Sequence, residues 1–202
     1  MANANTPRGL VPYKYTWGQP YNGAYNVYYV PSTYATALYV GDPVIATGAS
    51  DANGIPVVQI ATAGAGNYVL GPIVSIVNGG DPNLPDIPVL QSSPVYHPAS
   101  TSQYVLVADD PNLLHWAQED SVGGAIATAT SGMKNIDLVA GSGSTYTGQS
   151  GWMIDSSTIG TGATLQMRIV QALREIDNTP GSSYCKWLVR TNLSSFTNTT
   201  GV

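Results

Sequence analysis

The sequence predicts a mainly β fold, a β-barrel or a jelly-roll-like β-sandwich with little helix. Short runs rich in Val, Ile, Tyr and Thr recur along the chain, and clusters of Gly, Pro, Asn and Asp separate them, which is the pattern of strands joined by turns. The 14 prolines and 22 glycines leave few uninterrupted stretches in which a helix could form. At 202 residues the chain can bury a core without a metal or a disulfide.

Residues 1–36 are rich in Tyr, Asn and Pro, and the spacing of Pro7, Pro12, Pro20 and Pro31 argues against a helix or a long central strand. We therefore expect an extended N-terminal arm. Its aromatic side chains offer rigid amphipathic contact area. An arm that reaches other subunits and an arm that wraps its own domain are equally compatible with this pattern. The predicted capsid or subunit contacts are Tyr13, Tyr15, Trp17, Tyr21, Tyr25, Tyr28 and Tyr29.

The remainder, residues 37–202, is expected to form a single β domain. Alternation of apolar residues on both faces of 103–109 predicts an internal strand. Five prolines in 79–102 predict a long surface or interface loop. Residues 113–120 suit either a strand or a short helix. The other predicted strands are 37–46, 54–63, 68–78, 135–140, 151–156, 164–175 and 184–192.

The amino-acid composition indicates which kinds of partner this chain can bind. Asp, Glu, Lys and Arg make up 9% of the chain, against about 25% in an ordinary soluble domain, so we expect other protein subunits to cover much of the surface. A net charge of -5 with only seven basic residues disfavours nucleic acid and anionic membrane as partners. The beginning of the chain lacks a signal-peptide pattern, so we expect a protein made and used without secretion. The lone Cys185 is expected to be a buried small hydrophobe.

Few residues suggest catalysis. One cluster could in principle act as an acid–base pair or bind a metal, namely Asp109, Asp110, His115 and Glu119. The sequence Asp-Asp-Pro-Asn is, however, typical of a tight turn, and a histidine beside Trp116 is typical of a packed residue.

Two glycine-containing loops also lack the residues that their chemistry requires. Residues 141–148 have no following Lys for a phosphate loop, and 51–54 lack the later acidic ligand of a calcium loop and suit a hairpin turn. We therefore expect no catalytic residue, metal or cofactor.

Several segments, taken in order, resemble the capsid cement or decoration proteins of tailed bacteriophages. They include Leu-Val-Pro-Tyr at 10–13, Ala-Leu-Tyr-Val-Gly-Asp-Pro-Val at 37–44 and Tyr-Val-Leu-Val-Ala-Asp-Asp-Pro at 104–111. The others are residues 118–120, 135–144, 147–152, 165–170 and 186–192. Each is a strand with its turn, so the order and joint presence of the segments carry the resemblance.

The resemblance implies a non-enzymatic virion protein that binds the exterior of an icosahedral capsid and bridges capsomers. Its implied partners are the major capsid protein and further copies of itself, with a homotrimer favoured and a homodimer possible. It would be made in the bacterial host cytoplasm. The alternative function is a head-fibre base or a receptor- or glycan-binding virion module, and the third is a hydrolase using the acidic cluster around His115.

Overall fold

The computed structural model describes residues 3–77, 95–199 and 201. In this part of the chain, strands form a closed barrel, a five-stranded sheet and a two-stranded sheet, and a 3₁₀ turn lies at Ser156–Thr158. The mainly β class with a barrel core, predicted from the sequence, is confirmed. None of the helical segments in the described ranges has the length and apolar character needed to span a membrane.

Twelve strands are formed by the described residues. In order they are β1 (Val11–Tyr15), β2 (Asn26–Val30), β3 (Pro43–Ser50), β4 (Pro56–Ile60), β5 (Gly71–Val77), β6 (Gln103–Val107), β7 (Leu113–Gln118), β8 (Asn135–Ile136), β9 (Leu138–Val139), β10 (Met153–Ile154), β11 (Met167–Ala172) and β12 (Lys186–Thr191).

The barrel has the strand order β2-β4-β3-β5-β6. Its pairings are antiparallel except for β2 with β4. In β6, Val105 and Val107 are fully buried while Tyr104 and Leu106 are half-buried, because alternate side chains point to opposite faces of a strand. β6 lies between β2 and β5, so the prediction of an internal strand is confirmed. The barrel core is formed by residues that include Val30, Val44, Val58, Ile73 and Val105.

The five-stranded sheet has the order β1-β7-β12-β11-β8. In β12 three consecutive residues, Trp187, Leu188 and Val189, are buried, which requires that both faces of this central strand be covered. Cys185 lies in the same core, as expected, and burial raises the pKa of its thiol to about 11. The β9–β10 pair packs at one side of this sheet, where Leu138 and Ile154 join its core.

The barrel and the sheet share a packed boundary. The barrel-side residues Ala61 and Val69 belong to the core of the five-stranded sheet. The backbone amide of Leu10, just before β1, donates to the carbonyl of Gly41, just before β3, over 2.9 Å. The segments that contain Leu10, Gly41, Ala61 and Val69 therefore meet at this boundary.

The N-terminal segment differs from the expected extended arm, and a boundary at 36/37 would separate β2 from its barrel. β1 is an edge strand of the five-stranded sheet, and β2 is a barrel strand between β4 and β6. The prolines lie at or near the ends of these strands and do not prevent the strands from forming. Pro12 lies on the edge strand next to a bulge, and β2 occupies the proline-free interval between Pro20 and Pro31.

Other expectations have mixed outcomes. Residues 113–120, predicted as strand or short helix, contain strand β7. The expected strand at 135–140 is divided into β8 and β9. Most of the predicted loop at 79–102 falls outside the described residues, and in its described part His97 forms a bridge with Leu38. The turn at 51–54 joins β3 to β4 as predicted, and the Asp51 carboxylate accepts from the backbone amides of Asn53 and Ile55, each over 2.8 Å.

Candidate functional site

The most prominent aromatic feature is a hairpin that we call the aromatic hairpin, residues 11–21. β1 ends at Tyr15, where the chain turns and returns alongside it. The amide of Tyr15 donates to the carbonyl of Gln19 over 2.8 Å, and the amide of Tyr21 donates to the carbonyl of Tyr13 over 3.0 Å. Gly18 supplies the positive φ of 94° that the turn requires. The hairpin is therefore held by backbone hydrogen bonds at its base and at its tip.

Trp17 lies at the tip with 61% of its surface exposed, whereas Tyr15 beneath it is only 6% exposed. The two rings stack with their centroids 4.8 Å apart and an interplanar angle of 4°. The Trp17 indole N–H also donates to the Gln19 side chain over 3.3 Å. Tyr15 in turn packs on Ala108 and Leu113. The exposed indole is thus held in place by a ring that is anchored in the protein interior.

The seven aromatic residues predicted as contacts differ in how far their side chains are exposed. Tyr13, Trp17 and Tyr25 are exposed, and Tyr21 and Tyr29 are half-buried. Tyr15 and Tyr28 are buried, each 6% exposed, so they do not lie on an exposed arm as expected, and their contact with a partner stays a prediction. They are buried because the segment that carries them forms strands of the two sheets and does not extend as an arm.

Near the hairpin, one tyrosine hydroxyl and one side-chain amide donate to the carboxylate of Asp109. The Tyr28 hydroxyl donates to its carboxylate over 2.6 Å, and the Asn26 amide donates to both carboxylate oxygens. Burial, then Tyr15, Asp109 and Tyr25, raise the pKa of Tyr21 to about 12. Burial and the hydrogen bond to Asp109 likewise raise the pKa of Tyr28. The Tyr21 hydroxyl donates to the Ala24 carbonyl over 2.7 Å, so the donors to the Asp109 carboxylate are the side chains of Tyr28 and Asn26.

The other residues of the predicted acidic cluster are also engaged in the fold. Asp110 accepts from the amide of Asn112 over 2.8 Å, as the tight-turn interpretation predicts. His115 is buried, and burial lowers its pKa to about 3, so its imidazole is neutral.

Glu119 is fully buried, and burial raises its pKa. Its carboxylate accepts from the Trp187 indole N–H over 3.0 Å and from the amide of Ile126 over 3.1 Å. These bonds connect the residue that follows β7 both to strand β12 and to the loop after β7. Within the described residues, His, Cys, Asp and Glu side chains do not form a group of three that could hold a metal ion.

A cleft of about 540 Å³ lies beside Tyr39, Asp42 and Trp152. The Tyr39 ring stacks on Tyr96 with centroids 5.3 Å apart. Gly143 packs so closely on the Tyr39 ring that a Cβ there would overlap it. Glycine in this loop therefore serves close packing, and the half-buried Tyr39 ring contacts both Tyr96 and Gly143.

Sequence reasoning missed two features. One is the buried carboxylate of Asp42, which is 3% exposed. The other is an uncharged groove of about 450 Å³ whose lining includes Tyr68 and Phe196. No sequence motif marks the buried Asp42 or the groove, because segments distant in sequence form the surroundings of each. The one signal in the sequence was the scarcity of charged residues near them.

Comparisons of the chain with protein-family models, with characterised proteins and with solved structures return no match. The geometry described above is therefore the basis on which a function can be proposed.

Proposed function

We propose that this protein is a structural virion protein that binds the outside of a phage icosahedral capsid and stabilises it by bridging capsomers. The observation that carries the proposal is the preorganised Trp17 at the tip of the aromatic hairpin, exposed yet stacked on a buried ring. Binding then orders few additional side-chain rotamers, which lowers its entropic cost.

The composition of the surface supports an interaction role. The chain has 9% charged residues. Large apolar side chains are exposed at several places, and they are Tyr13, Trp17, Tyr25, Val95, Val122, Met133, Tyr146, Ile176 and Phe196. Tryptophan and tyrosine are also enriched among the residues that contribute most to protein interfaces. A partner that covers the hairpin would remove two of these side chains, Tyr13 and Trp17, from water together.

The function follows from burial of this surface on an assembled shell. A protein that binds only the assembled state stabilises it by mass action, and no reacting group is needed. Contacts across a seam between capsomers would add the buried apolar area of both neighbours to the stability of the shell. The major capsid protein is the partner in this proposal.

The test uses capsid shells stripped of this protein and then incubated with the purified chain. We expect Trp17→Ala to lower the affinity for shells by roughly tenfold or more, since a central aromatic anchor is worth more than 1.4 kcal/mol. Tyr146→Ala is the matched control, because Tyr146 is a 92% exposed aromatic residue away from the hairpin. Occupancy measured by cryo-electron microscopy decides the result. Full decoration of shells by the Trp17 variant would refute the assigned contact.

The exposed indole also supports the second candidate, a receptor- or glycan-binding module of a head fibre. One face of Trp17 stacks on Tyr15, and an aromatic face that remains exposed suits stacking against a sugar ring. Binding of the purified chain to a glycan array, lost in Trp17→Ala and accompanied by failure to bind shells, would favour this candidate over the capsid function.

A further inference from the structure

Two arginines face each other on neighbouring strands of the five-stranded sheet. Arg168 of β11 and Arg190 of β12 are direct partners in the antiparallel register. Directly opposite residues of an antiparallel pair project from the same face of the sheet with their Cβ atoms about 4.5–5.5 Å apart, and like charges in such a pair are destabilising. The pair therefore costs stability unless a negative group lies between the two charges.

Neutral acceptors hold both guanidinium groups in place. Arg168 donates from Nε to the Asn135 side chain over 2.9 Å and from Nη2 to the Asn192 side chain over 3.1 Å. Arg190 donates from Nε and Nη2 to two acceptors in the turn 111–112, over 2.9 and 3.2 Å. The Nη1 group of each arginine has no acceptor among the described residues, so each guanidinium keeps donors for a further group.

No carboxylate of the described residues compensates the two charges. Ion pairs in this part of the chain are formed by Lys186 alone, with Glu175 and Asp177. Asp110 lies beside the turn that holds one of the arginines, but its carboxylate accepts from the amide of Asn112 over 2.8 Å and forms no ion pair. The negative group must therefore come from outside the described part of the chain.

A small pocket of about 70 Å³ lies against both arginines. Its described lining is completed by Pro111, Thr191, Asn192 and Thr197 and contains no acidic residue. A pocket of this size has room for a few water molecules, and therefore for one carboxylate or phosphate group. The pocket thus combines the size of a small anion with two positive charges and polar walls.

A third cation lies in the same row of the sheet. Lys14 of β1 pairs with Leu114 of β7, and Leu114 pairs with Arg190. Because neighbouring strands are about 4.8 Å apart, Lys14 lies roughly 10 Å from Arg190 along this row. Three of the seven basic residues of a chain with a net charge of -5 are therefore aligned across one sheet, which concentrates positive potential there.

We infer that Arg168 and Arg190 form a binding site for one small oxyanion, of the carboxylate or phosphate type. The planar fork of a guanidinium group matches the oxygens of both types of anion. An anion in the pocket would accept from both arginines and offset the repulsion between them. Because both side chains are already hydrogen-bonded in place, binding orders few additional rotamers. This site goes beyond the proposed function and needs no capsid shell.

The test titrates the full chain with sodium phosphate and, separately, with sodium acetate, while sodium chloride keeps the ionic strength constant. The backbone amide signals of Thr191 and Asn192 in nuclear magnetic resonance spectra report binding at the pocket. We expect these signals to shift and saturate. We also expect Arg168→Gln and Arg190→Gln each to raise the dissociation constant roughly tenfold or more, because each removes one of the two guanidinium forks.

Arg174→Gln is the matched control, because it changes the net charge equally at an exposed arginine outside the pocket, and it should bind as the unmodified chain does. Arg190→Lys keeps the charge but lacks the planar fork, so weaker binding by this variant would support a site that depends on guanidinium geometry. Thermal unfolding confirms that each variant is folded.

The two salts distinguish the sources of the anion. Saturation with acetate, with or without phosphate, would support a carboxylate site of the kind that an Asp or Glu of a partner protein occupies. Saturation with phosphate alone would support a site for a free tetrahedral anion. Shifts that stay linear with both salts in the unmodified chain, or an affinity unchanged in both glutamine variants of the pocket, would overturn the inference. Capsid shells take no part in the titration, so the inference and the proposed function can fail separately.

Discussion

The surroundings of Asp42 disfavour the charged form of its carboxylate. Its carboxylate is 3% exposed and accepts from the amide of Tyr39 over 2.9 Å. Oδ1 has no hydrogen-bond partner within the described residues, and the nearby Ser150 hydroxyl offsets only part of the cost of burial. Burial raises the pKa of Asp42 from 3.8 to about 6. The folded state therefore binds this proton more tightly than the unfolded state does.

We expect Asp42→Asn to stabilise the protein at pH 7. A folded-state pKa above the unfolded value means that the free energy of unfolding falls as pH rises from about 4 to about 6. An uncharged Asn that still accepts from Tyr39 avoids this loss, which amounts to about 1–3 kcal/mol. Chemical unfolding at pH 4 and pH 7 measures it. A stability difference between variant and parent that is the same at both pH values would contradict the prediction.

A second prediction concerns the network around Asp109. Tyr28→Phe removes the hydroxyl that donates to this carboxylate over 2.6 Å and leaves a buried acceptor with fewer donors. We expect the free energy of unfolding to fall by about 1–3 kcal/mol, the usual cost of removing a donor from a buried acceptor. Tyr13→Phe, at an exposed ring, serves as control and should change stability little. Equal unfolding midpoints in urea for the two variants would argue against the network.

The identity of the aromatic residues was readable from the sequence, but their exposure was not. Tyr13, Tyr15 and Trp17 alternate and would share one face of a continuous strand. Instead the chain turns after Tyr15, which packs under Leu113 of β7 while Trp17 stays outside. Burial of Tyr15 depends on a residue almost a hundred positions away, and no local pattern contains that information.

At the scale of the elements, two glycines show how the barrel and the sheet approach each other. Gly9 has a φ of 70°, and a Cβ there would overlap the Gly41 carbonyl oxygen and crowd the Ser150 hydroxyl. Gly23 has a similar φ of 84°, but a Cβ there would lie in open space. The two positions share the backbone requirement and differ only in the close approach of neighbouring segments.

This difference gives a matched pair of variants. We expect Gly23→Ala to cost about 1 kcal/mol, the strain of a left-handed backbone at a residue with a Cβ. Gly9→Ala should cost roughly 3 kcal/mol or more, because overpacking is added to the same strain. Thermal unfolding of both variants measures the difference. Similar unfolding midpoints for the two variants would show that the segments near Gly41 can move to accommodate an added methyl group.

The strands themselves were largely predictable. Segments 54–63, 68–78, 103–109, 164–175 and 184–192 each contain an observed strand, because runs of β-branched and aromatic residues between turn residues specify extended structure locally. β1 and β2 were missed because their prolines suggested an irregular arm. Their pairing with β7 and β6 depends on partners roughly 80 to 100 positions away, a non-local preference that composition does not contain.

At the scale of the whole molecule, removal of the N-terminal segment tests how far it belongs to the fold. A chain that starts at Thr36 loses edge strand β1 and barrel strand β2, together with the buried Tyr28 and Val30. We expect this chain not to fold, since the barrel loses the strand between β4 and β6. Far-ultraviolet circular dichroism and amide hydrogen exchange measure whether the truncated chain is folded. A truncated protein with native-like protection in β6 would restore the interpretation of an extended arm.

The sequence by itself determined the mainly β class, the position of most strands and a surface poor in charge, since these follow from local periodicity, turn residues and composition. Only the tertiary structure decided that β1 and β2 join the two sheets, that Tyr15 and Tyr28 are buried while Trp17 is exposed, and that β3 ends beside an uncharged groove. These properties arise where segments distant along the chain meet, because burial and edge pairing depend on the partner segment as much as on the residue itself.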